Sequence, residues 1–285
     1  MAHKRISVGV IQANPIVGDI QGNLNLAISA IEDIASKETP DIFLLTEMFI
    51  TGYPPEDLIL RDDLLDQSYE AIQKLTEIKP ESFIVIGYPK KEGESIYNCA
   101  GVLRNHSIIT EYKKQELPNY EVFDEKRYFV SGSSPGIFEV NGLRVALSVC
   151  EDIWHEKVVK QAQENGANLM LNINASPFHL RKIEDRKRLI SGHAAKYKLP
   201  IIYANQVGGQ DELVFDGTSM AMDGNGKQVL QLDKFKSDSR IISFVENDDV
   251  HVSCPVPEQR STKTRAQTYS PQCHTQCPSR LSYHR

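Results

Sequence analysis

The sequence predicts a layered α/β protein in which mixed β-sheets are covered by helices. Short apolar runs of strand length alternate along the chain with longer stretches in which apolar residues recur at helical spacing. Turn signals such as Asn141-Gly142 join neighbouring extended runs, and they predict antiparallel hairpins inserted between the βα units. Together these observations predict two mixed sheets packed face to face, with helices outside them.

The first half of the chain is predicted to form βα units followed by a hairpin. Residues 6–13 alternate like a strand, whereas Leu24, Ile28 and Ile31 recur at the spacing of one helix face. The turn-like Arg104-Asn105-His106 joins two extended runs, which indicates a hairpin rather than a helical crossover. In order, we predict a strand at 6–13, a helix ending near 37, a strand at 42–45, a helix at 64–75, a strand at 83–86 and hairpin strands at 97–103 and 107–112.

The second half repeats the alternation after a loop from 113 to 135. Asn141-Gly142 is typical of a type I′ turn, and it predicts a hairpin whose return strand runs from 143 to 149. Gly166 predicts the end of the next helix, because glycine readily adopts the left-handed conformation that closes many helices. In order, we predict a helix at 158–165, a strand at 169–173, a helix at 181–197, a strand at 201–204 and a hairpin turning at Asn225-Gly226.

Composition and charge exclude several classes of protein. Apolar residues make up 40% of the chain, which excludes wholesale disorder, and no run of 18 apolar residues predicts a membrane span. The 32 Lys and Arg against 38 Asp and Glu leave a net charge of -6, which argues against a nucleic-acid binder. No signal peptide is evident. Five cysteines are an odd number in a long chain without a secretory signal, which argues against a disulfide framework. We therefore expect a cytoplasmic protein.

The composition changes near residue 250. Residues 259–285 contain no Asp or Glu, five Lys or Arg and no apolar periodicity. We therefore predict one folded domain at 1–250 and a disordered tail at 251–285. The tail contains residue types that bind zinc, but it lacks the small core of a zinc finger, so we expect no metal site from Cys273, His274, Cys277 and His284.

Three residues at predicted strand ends carry the side chains that cysteine-dependent amide chemistry needs. Glu47 follows an apolar strand and precedes a Gly/Pro-rich loop, Lys114 opens a loop rich in charges and aromatics, and Cys150 lies at a strand-to-helix turn. A thiol needs a base, for which Glu47 is the candidate, so we expect loss of Glu47 to raise the pKa of the thiol. Attack on an amide creates an oxyanion, which Lys114 and the backbone N–H of Glu151 can stabilise.

Each of these residues also has an ordinary structural interpretation. Glu47 alone is typical of a solvated glutamate at a strand edge, Lys114 of a surface lysine, and Cys150 of a small buried side chain. Their spacing along the chain does not show that they meet in space. The residues by themselves therefore lead only to the hypothesis of a cysteine amidohydrolase.

A family resemblance sharpens this hypothesis. TEMFITGYPPEDL, YKKQELPNYEVFDEKRYF and LSVCEDIW resemble the signature segments of the nitrilase, or carbon–nitrogen hydrolase, superfamily. GYPPEDL, KxxLPNYxVFDExRYF and the segment NQVGGQDELVFDG at 205–217 are more narrowly similar to the N-terminal glutaminase domain of glutamine-dependent NAD synthetases. The resemblance implies a nitrilase-like α-β-β-α sandwich, with Glu47, Lys114 and Cys150 as its catalytic residues.

The resemblance also implies the other residues of the site. Glu125 matches a second glutamate that positions the lysine, and Tyr120 matches an aromatic residue that contacts glutamine. Ser176 and Lys182 match the segment that holds the substrate on the far side of the cysteine. Without the resemblance, Ser176 is better interpreted as a turn residue before Pro177, and Lys182 as a solvated helix lysine.

The implied reaction is hydrolysis of L-glutamine to glutamate and ammonia through a thioester, without a cofactor. In the family, a synthetase domain that uses ATP and magnesium consumes this ammonia to make NAD from deamido-NAD. The segment SGSSPG at 131–136 does not match the SGGxDS phosphate loop of that domain. We therefore expect a truncated or frame-shifted chain, or a natural stand-alone glutaminase served by a synthetase domain in trans.

Two other functions stay open. The chain could be a stand-alone amidase of the superfamily that acts on another small amide, or an inactive scaffold subunit. We expect a homo-oligomer and no nucleic-acid or membrane partner.

Overall fold

The computed structural model describes residues 4–79, 81–120 and 122–245. Its strands form two six-stranded sheets and a separate two-stranded ribbon, and its helices pack against the sheets. The prediction of an α/β protein with two mixed sheets is confirmed. The predicted domain boundary at 250 and the predicted tail at 251–285 lie outside the described residues.

The first sheet is mixed. It consists of β1 (Arg5–Gln12), β2 (Ile42–Leu44), β3 (Phe83–Glu92), β4 (Ser95–Arg104), β5 (Ser107–Lys113) and β14 (Asp238–Val245), in the order β14-β1-β2-β3-β4-β5. β1, β2 and β3 are parallel, whereas β3, β4 and β5 form antiparallel hairpins. β14 pairs antiparallel with the whole length of β1 and forms the edge of the sheet.

The second sheet has the same kind of mixed topology. It consists of β6 (Gly136–Val140), β7 (Leu143–Val149), β8 (Leu169–Asn174), β9 (Ile201–Asn205), β12 (Met220–Met222) and β13 (Gln228–Gln231), in the order β13-β12-β9-β8-β7-β6. β7, β8 and β9 are parallel. The turn between β6 and β7 has φ of 52° at Asn141 and 76° at Gly142, so the predicted left-handed hairpin turn is present.

Within the described ranges, four α-helices complete the layers. They are α1 (Ile20–Ala35), α2 (Asp62–Leu75), α3 (Glu156–Glu164) and α4 (Lys182–Tyr197). Apolar residues of α1 and α2 pack with one face of the first sheet, and those of α3 and α4 pack with one face of the second sheet. Among the described residues, no helix combines the length and apolar character that a membrane crossing requires.

The alternation of side chains along the strands explains the layering. On β2, Phe43 packs with the α1 and α2 layer, while Ile42 and Leu44 point to the opposite face. That opposite face joins Val145 and Leu171 of the second sheet in a continuous apolar layer. The two sheets therefore pack face to face, and the order of layers is α-β-β-α.

The topology places several loops at one end of both sheets. Glu47 follows β2, Lys114 follows β5, Cys150 follows β7 and Ala175 follows β8. β5 runs in the same direction as β2 and β3, because two antiparallel steps separate it from β3. The carboxyl ends of these strands therefore meet where the two sheets face each other, as the hydrogen bond from Ala175 N to Glu47 confirms.

Three strands were not predicted from the sequence. β14 begins with polar residues, and its partner β1 lies more than two hundred residues away, so local periodicity carries little signal for it. The ribbon of β10 (Val207–Gln210) and β11 (Leu213–Asp216) contains two glycines in its first strand, which weakens its strand pattern.

Gly87 on β3 allows the backbone of the Glu47 loop to approach closely. An added Cβ would lie 2.6 Å from Glu47 Cα and 2.4 Å from Met48 N. We expect Gly87→Ala to lower the free energy of unfolding by about 1–3 kcal/mol, because backbone atoms rather than a flexible side chain must move. Urea unfolding measures this change.

Gly192→Ala is the matched control. Gly192 lies on α4 with no atom within 4 Å of an added Cβ, so the alanine should stabilise the helix by up to about 1 kcal/mol. Equal stability of the two alanine variants would contradict the close approach at Gly87.

Candidate active site

Glu47 is buried at the junction of the two sheets, with 0% of its surface exposed. Its Oε1 accepts hydrogen bonds from Lys114 Nζ and Asn98 Nδ2, each at 2.8 Å. Its Oε2 accepts one from the backbone N–H of Ala175 at 2.8 Å. Glu47 is therefore not a solvated strand-edge glutamate, and its carboxylate has a fixed orientation.

Lys114 places a buried ammonium group between two carboxylates. Its Nζ lies 2.8 Å from Glu47 Oε1 and 2.8 Å from Glu125 Oε1. Burial by itself would lower the pKa of Lys114, but the charges of Glu125 and Glu47 outweigh burial and raise that pKa well above its usual value. Lys114 is therefore a permanent positive charge in the site and not a surface lysine.

Glu125 begins a short 3₁₀ helix (Glu125–Arg127) and shares the ammonium of Lys114. Its Oε1 also accepts a hydrogen bond from the hydroxyl of Tyr53 at 3.0 Å. Burial and the nearby charge of Glu47 raise the pKa of Glu125 to about 7, although Lys114 and Tyr53 act in the opposite direction. The geometry agrees with the expectation that Glu125 positions the lysine, and that role stays a prediction.

Cys150 follows β7 directly and opens a 3₁₀ turn (Cys150–Trp154). Its φ of 45° lies in the left-handed region that few non-glycine residues adopt, and such backbone strain often occurs at functional sites. The predicted sharp turn after the strand is therefore present. Only 6% of the residue is exposed.

The surrounding charges act on the Cys150 thiol in opposite directions. Burial raises the pKa of the thiol most strongly, the charge of Glu47 raises it further, and the charge of Lys114 lowers it. The net effect is a pKa well above the usual value. Burial and the charge of Glu47 therefore favour the neutral thiol of Cys150 over its thiolate.

Tyr120 and Lys182 both contact the turn that Cys150 opens. The hydroxyl of Tyr120, a residue that is 46% exposed, donates to Glu151 Oε2 at 2.8 Å. Lys182 is the first residue of α4, and its ammonium lies 4.6 Å from the ring centre of Trp154. Both side chains therefore border the turn that Cys150 opens, and contact with a substrate stays a prediction for each.

Ser176 is buried beside the residue that binds Glu47. Its backbone N–H donates to Asn205 Oδ1 at 2.9 Å, and its hydroxyl accepts a hydrogen bond from Arg186 Nη2 at 3.0 Å. Arg186 is itself held by Asp216, with Nη1 to Oδ1 at 2.8 Å. The Ser176 loop is therefore fixed by a buried ion pair rather than exposed as a simple turn.

Four residues that support the site were missed by sequence reasoning. Each bonds a predicted site residue or the backbone beside one, and these bonds form only in the folded structure. The four are Tyr53, Asn98, Asp152 and Arg186, and only Asn98 carries a local signal, as a polar residue within an apolar strand.

The described part of the chain contains no group of His, Cys, Asp and Glu side chains suited to holding a metal ion. The tail residues considered for zinc, Cys273, His274, Cys277 and His284, lie outside the described residues.

An α-β-β-α sandwich with a cysteine, a lysine and two glutamates buried at the junction of its sheets is the architecture of a hydrolase class that cleaves carbon–nitrogen bonds. The sequence model of the carbon–nitrogen hydrolase family matches residues 7–248. The chain therefore belongs to the carbon–nitrogen hydrolase family, and it is an enzyme. The predicted membership is confirmed.

Within this family, the chain is similar in sequence and structure to glutamine-dependent NAD synthetases. The chain is 36% identical over 266 residues to the glutamine-dependent NAD(+) synthetase of Thermotoga maritima, covering 92% of this chain and 46% of that protein. The glutamine-dependent NAD+ synthetase of Acinetobacter baumannii, solved with ADP, matches with a TM-score of 0.83 and 36% identity over 90% of this chain and 49% of that chain. This chain thus spans about half the length of these relatives.

A more distant structure shares the fold. An amidase from Nesterenkonia sp. matches with a TM-score of 0.76 and 23% identity, over 87% of this chain and 93% of that chain. The predicted nitrilase-like sandwich is therefore confirmed.

Removal of the buried ammonium group should lower the stability of the protein and make that stability depend on pH. Lys114→Met leaves Glu47 and Glu125 buried without their cation, which we expect to cost about 3–5 kcal/mol at neutral pH. Because Lys114 lowers the pKa of Glu125, that pKa should rise further in the variant. The folded variant then holds protons that the unfolded chain releases, so its stability should fall as pH rises through the raised pKa.

Urea unfolding of Lys114→Met and wild type across a pH series measures this effect. Lys113→Met is the control, because the neighbouring Lys113 forms its ion pair with Glu92 at the surface and should contribute less than about 1 kcal/mol. A Lys114→Met variant whose stability is independent of pH would show that the two carboxylates do not depend on the lysine.

Proposed function

We propose that this chain hydrolyses the side-chain amide of L-glutamine to L-glutamate and ammonia. The observation that carries the proposal is the buried set in which Lys114 Nζ lies 2.8 Å from both Glu47 and Glu125, within electrostatic reach of the Cys150 thiol. This set contains a nucleophile, a proton acceptor and a fixed positive charge. The similarity to glutamine-dependent NAD synthetases supports glutamine as the amide.

In the first half-reaction, Cys150 Sγ attacks the amide carbon and Glu47 accepts the thiol proton. Lys114 and the backbone N–H of Glu151 stabilise the resulting oxyanion, and one such donor is typically worth about 3 kcal/mol of the barrier. Glu47 then gives its proton to the leaving nitrogen as the carbon–nitrogen bond breaks. Ammonia leaves, and a glutamyl thioester remains on Cys150.

In the second half-reaction, water attacks the thioester carbon and gives a proton to Glu47. The carbon–sulfur bond breaks, Cys150 recovers its proton from Glu47, and glutamate leaves. The reaction consumes only water, so it needs no cofactor. Asn98 and Ala175 N keep the carboxylate of Glu47 oriented through both proton transfers.

The residues around the Cys150 turn supply the contacts that an amino-acid substrate needs. Lys182 can bind the substrate carboxylate, Ser176 can hydrogen-bond its polar groups, and Tyr120 can offer its partly exposed ring to the substrate. These three residues are the proposed glutamine-binding residues.

We further propose that the released ammonia serves a synthetase domain, on this or another chain, that makes NAD from deamido-NAD. ATP and magnesium belong to that second reaction. The support is the name shared by relatives of about twice this length. Hydrolysis of another small amide is the alternative, and side-by-side kinetics with L-glutamine and propionamide test it. Higher kcat/KM for propionamide would overturn glutamine as the substrate.

Replacement of the nucleophile should abolish turnover without disturbing the fold. We expect Cys150→Ala to reduce glutamate release to background, because the buried set then keeps Glu47, Lys114 and Glu125 but has lost its thiol. Cys99→Ala is the matched control, since Cys99 is also a free, buried cysteine and burial also raises its thiol pKa. Turnover that survives in Cys150→Ala, or disappears in Cys99→Ala, would assign the chemistry to another residue.

Glu47→Gln should separate two effects of Glu47: its role as proton acceptor and the influence of its negative charge on the pKa of Cys150. We expect turnover to fall by about 100-fold or more because the proton acceptor is lost. The pKa of Cys150 should nevertheless fall, because the charge of Glu47 raises it and that of Lys114 lowers it. The electrostatics thus predict the opposite of the sequence-based expectation, which considered proton acceptance by Glu47 and not its buried negative charge.

Ultraviolet absorbance of the thiolate across pH, with Cys150→Ala as the blank, measures the thiol pKa. Glu116→Gln is the control, since its half-exposed side chain pairs with Lys157 at 3.9 Å and lies outside the set that shifts Cys150. A thiol pKa that rises in Glu47→Gln would contradict the proposed electrostatics.

A further inference from the structure

Asp152 is a buried carboxylate with four hydrogen bonds, two residues after the nucleophile. None of its surface is exposed, at 0%. Each of its oxygens accepts two hydrogen bonds. Oδ1 accepts from Gln115 N at 3.1 Å and Glu116 N at 2.9 Å, and Oδ2 accepts from Val149 N at 2.9 Å and Tyr112 Oη at 2.8 Å.

The donors to Asp152 come from both sheets and flank two residues of the site. Tyr112 lies on β5 in the first sheet, and Gln115 follows Lys114 directly. Val149 ends β7 in the second sheet and precedes Cys150. One side chain therefore fastens the segment that carries Lys114 to the segment that carries Cys150.

We propose that Asp152 is a positioning residue that sets the distance between Lys114 Nζ and Cys150 Sγ, and that it controls the rate of amide hydrolysis in this way. The effect on the rate of hydrolysis rests on the proposed function. The effect on the distance between Lys114 and Cys150 rests on geometry alone. Asp152 touches neither substrate nor reacting atoms in this role. It acts through the backbones on either side of Lys114 and Cys150.

A carboxylate suits this position because it only accepts hydrogen bonds, and all four partners are donors. Charge-assisted hydrogen bonds of this kind are shorter and stronger than neutral ones. An asparagine has one acceptor oxygen, and its NH₂ group would face two donors. Misplacement of catalytic groups by about 1 Å can cost about 100-fold in rate.

Asp41 offers a matched control at the opposite end of the strands. It precedes β2, and its carboxylate accepts hydrogen bonds from Ser7 N at 2.7 Å and from Asn141 Nδ2 at 3.0 Å. Ser7 lies on the first sheet and Asn141 on the hairpin turn of the second. Asp41 therefore also joins the two sheets, but at the end of the strands opposite to the end where Lys114 and Cys150 lie.

The experiment compares Asp152→Asn with Asp41→Asn and wild type in glutamine hydrolysis. We expect Asp152→Asn to lower kcat by about 100-fold with KM within about threefold, because Asp152 bonds the segments of Lys114 and Cys150 and none of the proposed binding side chains. Both variants should lower the melting temperature, because each loses hydrogen bonds between the sheets. Asp41→Asn should nevertheless leave kcat within about twofold of wild type. Crystal structures of both variants report the distance from Lys114 Nζ to Cys150 Sγ without any substrate.

Tyr112→Phe covers the case in which Asp152→Asn does not fold. It removes one donor and keeps the ring in the layer between the sheets, so we expect kcat to fall by about tenfold. Unchanged kcat in either Asp152→Asn or Tyr112→Phe, or an equal loss of kcat in Asp41→Asn, would overturn the inference.

The crystal structures keep the two claims separate. If wild type does not hydrolyse glutamine, the proposed function fails, and the distance between Lys114 and Cys150 still decides the role of Asp152. An unchanged distance in Asp152→Asn would overturn that role even in an active glutaminase.

Discussion

The site depends on one buried ammonium group. Lys114 Nζ is bonded to Glu47 and Glu125, and without it two carboxylates would share a space from which water is excluded. Its charge lowers the pKa of Glu125 and opposes the burial that raises the pKa of Cys150. The face-to-face packing of the two sheets brings these side chains together. Glu47 and Lys114 follow strands of the first sheet, whereas Cys150 follows a strand of the second.

Much of the fold and the core of the site could be predicted from the sequence, because the signals are local. Alternating apolar residues locate β1, β7 and β8, and Asn141-Gly142 specifies a left-handed turn whatever surrounds it. The strand-end positions of Glu47, Lys114 and Cys150 are local features as well. Their convergence rested on family resemblance, and the structure brings the carboxylates and the lysine together.

The rest depends on contacts between residues far apart in the sequence. Asn98 and Tyr53 complete the bonding of Glu47 and Glu125, and Asp152 bridges two sheets, but none of them stands out by spacing. β14 is stabilised by its pairing with β1 at the other end of the chain. The effect of Glu47 on the pKa of the thiol depends on how close the two side chains lie, which no sequence pattern reports.

Trapping the acyl intermediate tests the central claim most directly. Rapid acid quenching during glutamine turnover, followed by mass spectrometry of the peptides, locates any glutamyl thioester. The account predicts the adduct on Cys150 in wild type, none on Cys99, and none on either residue in Lys114→Met, because the oxyanion then lacks its charge. Turnover of glutamine with the adduct on another residue, or an undiminished adduct on Cys150 in Lys114→Met, would contradict it.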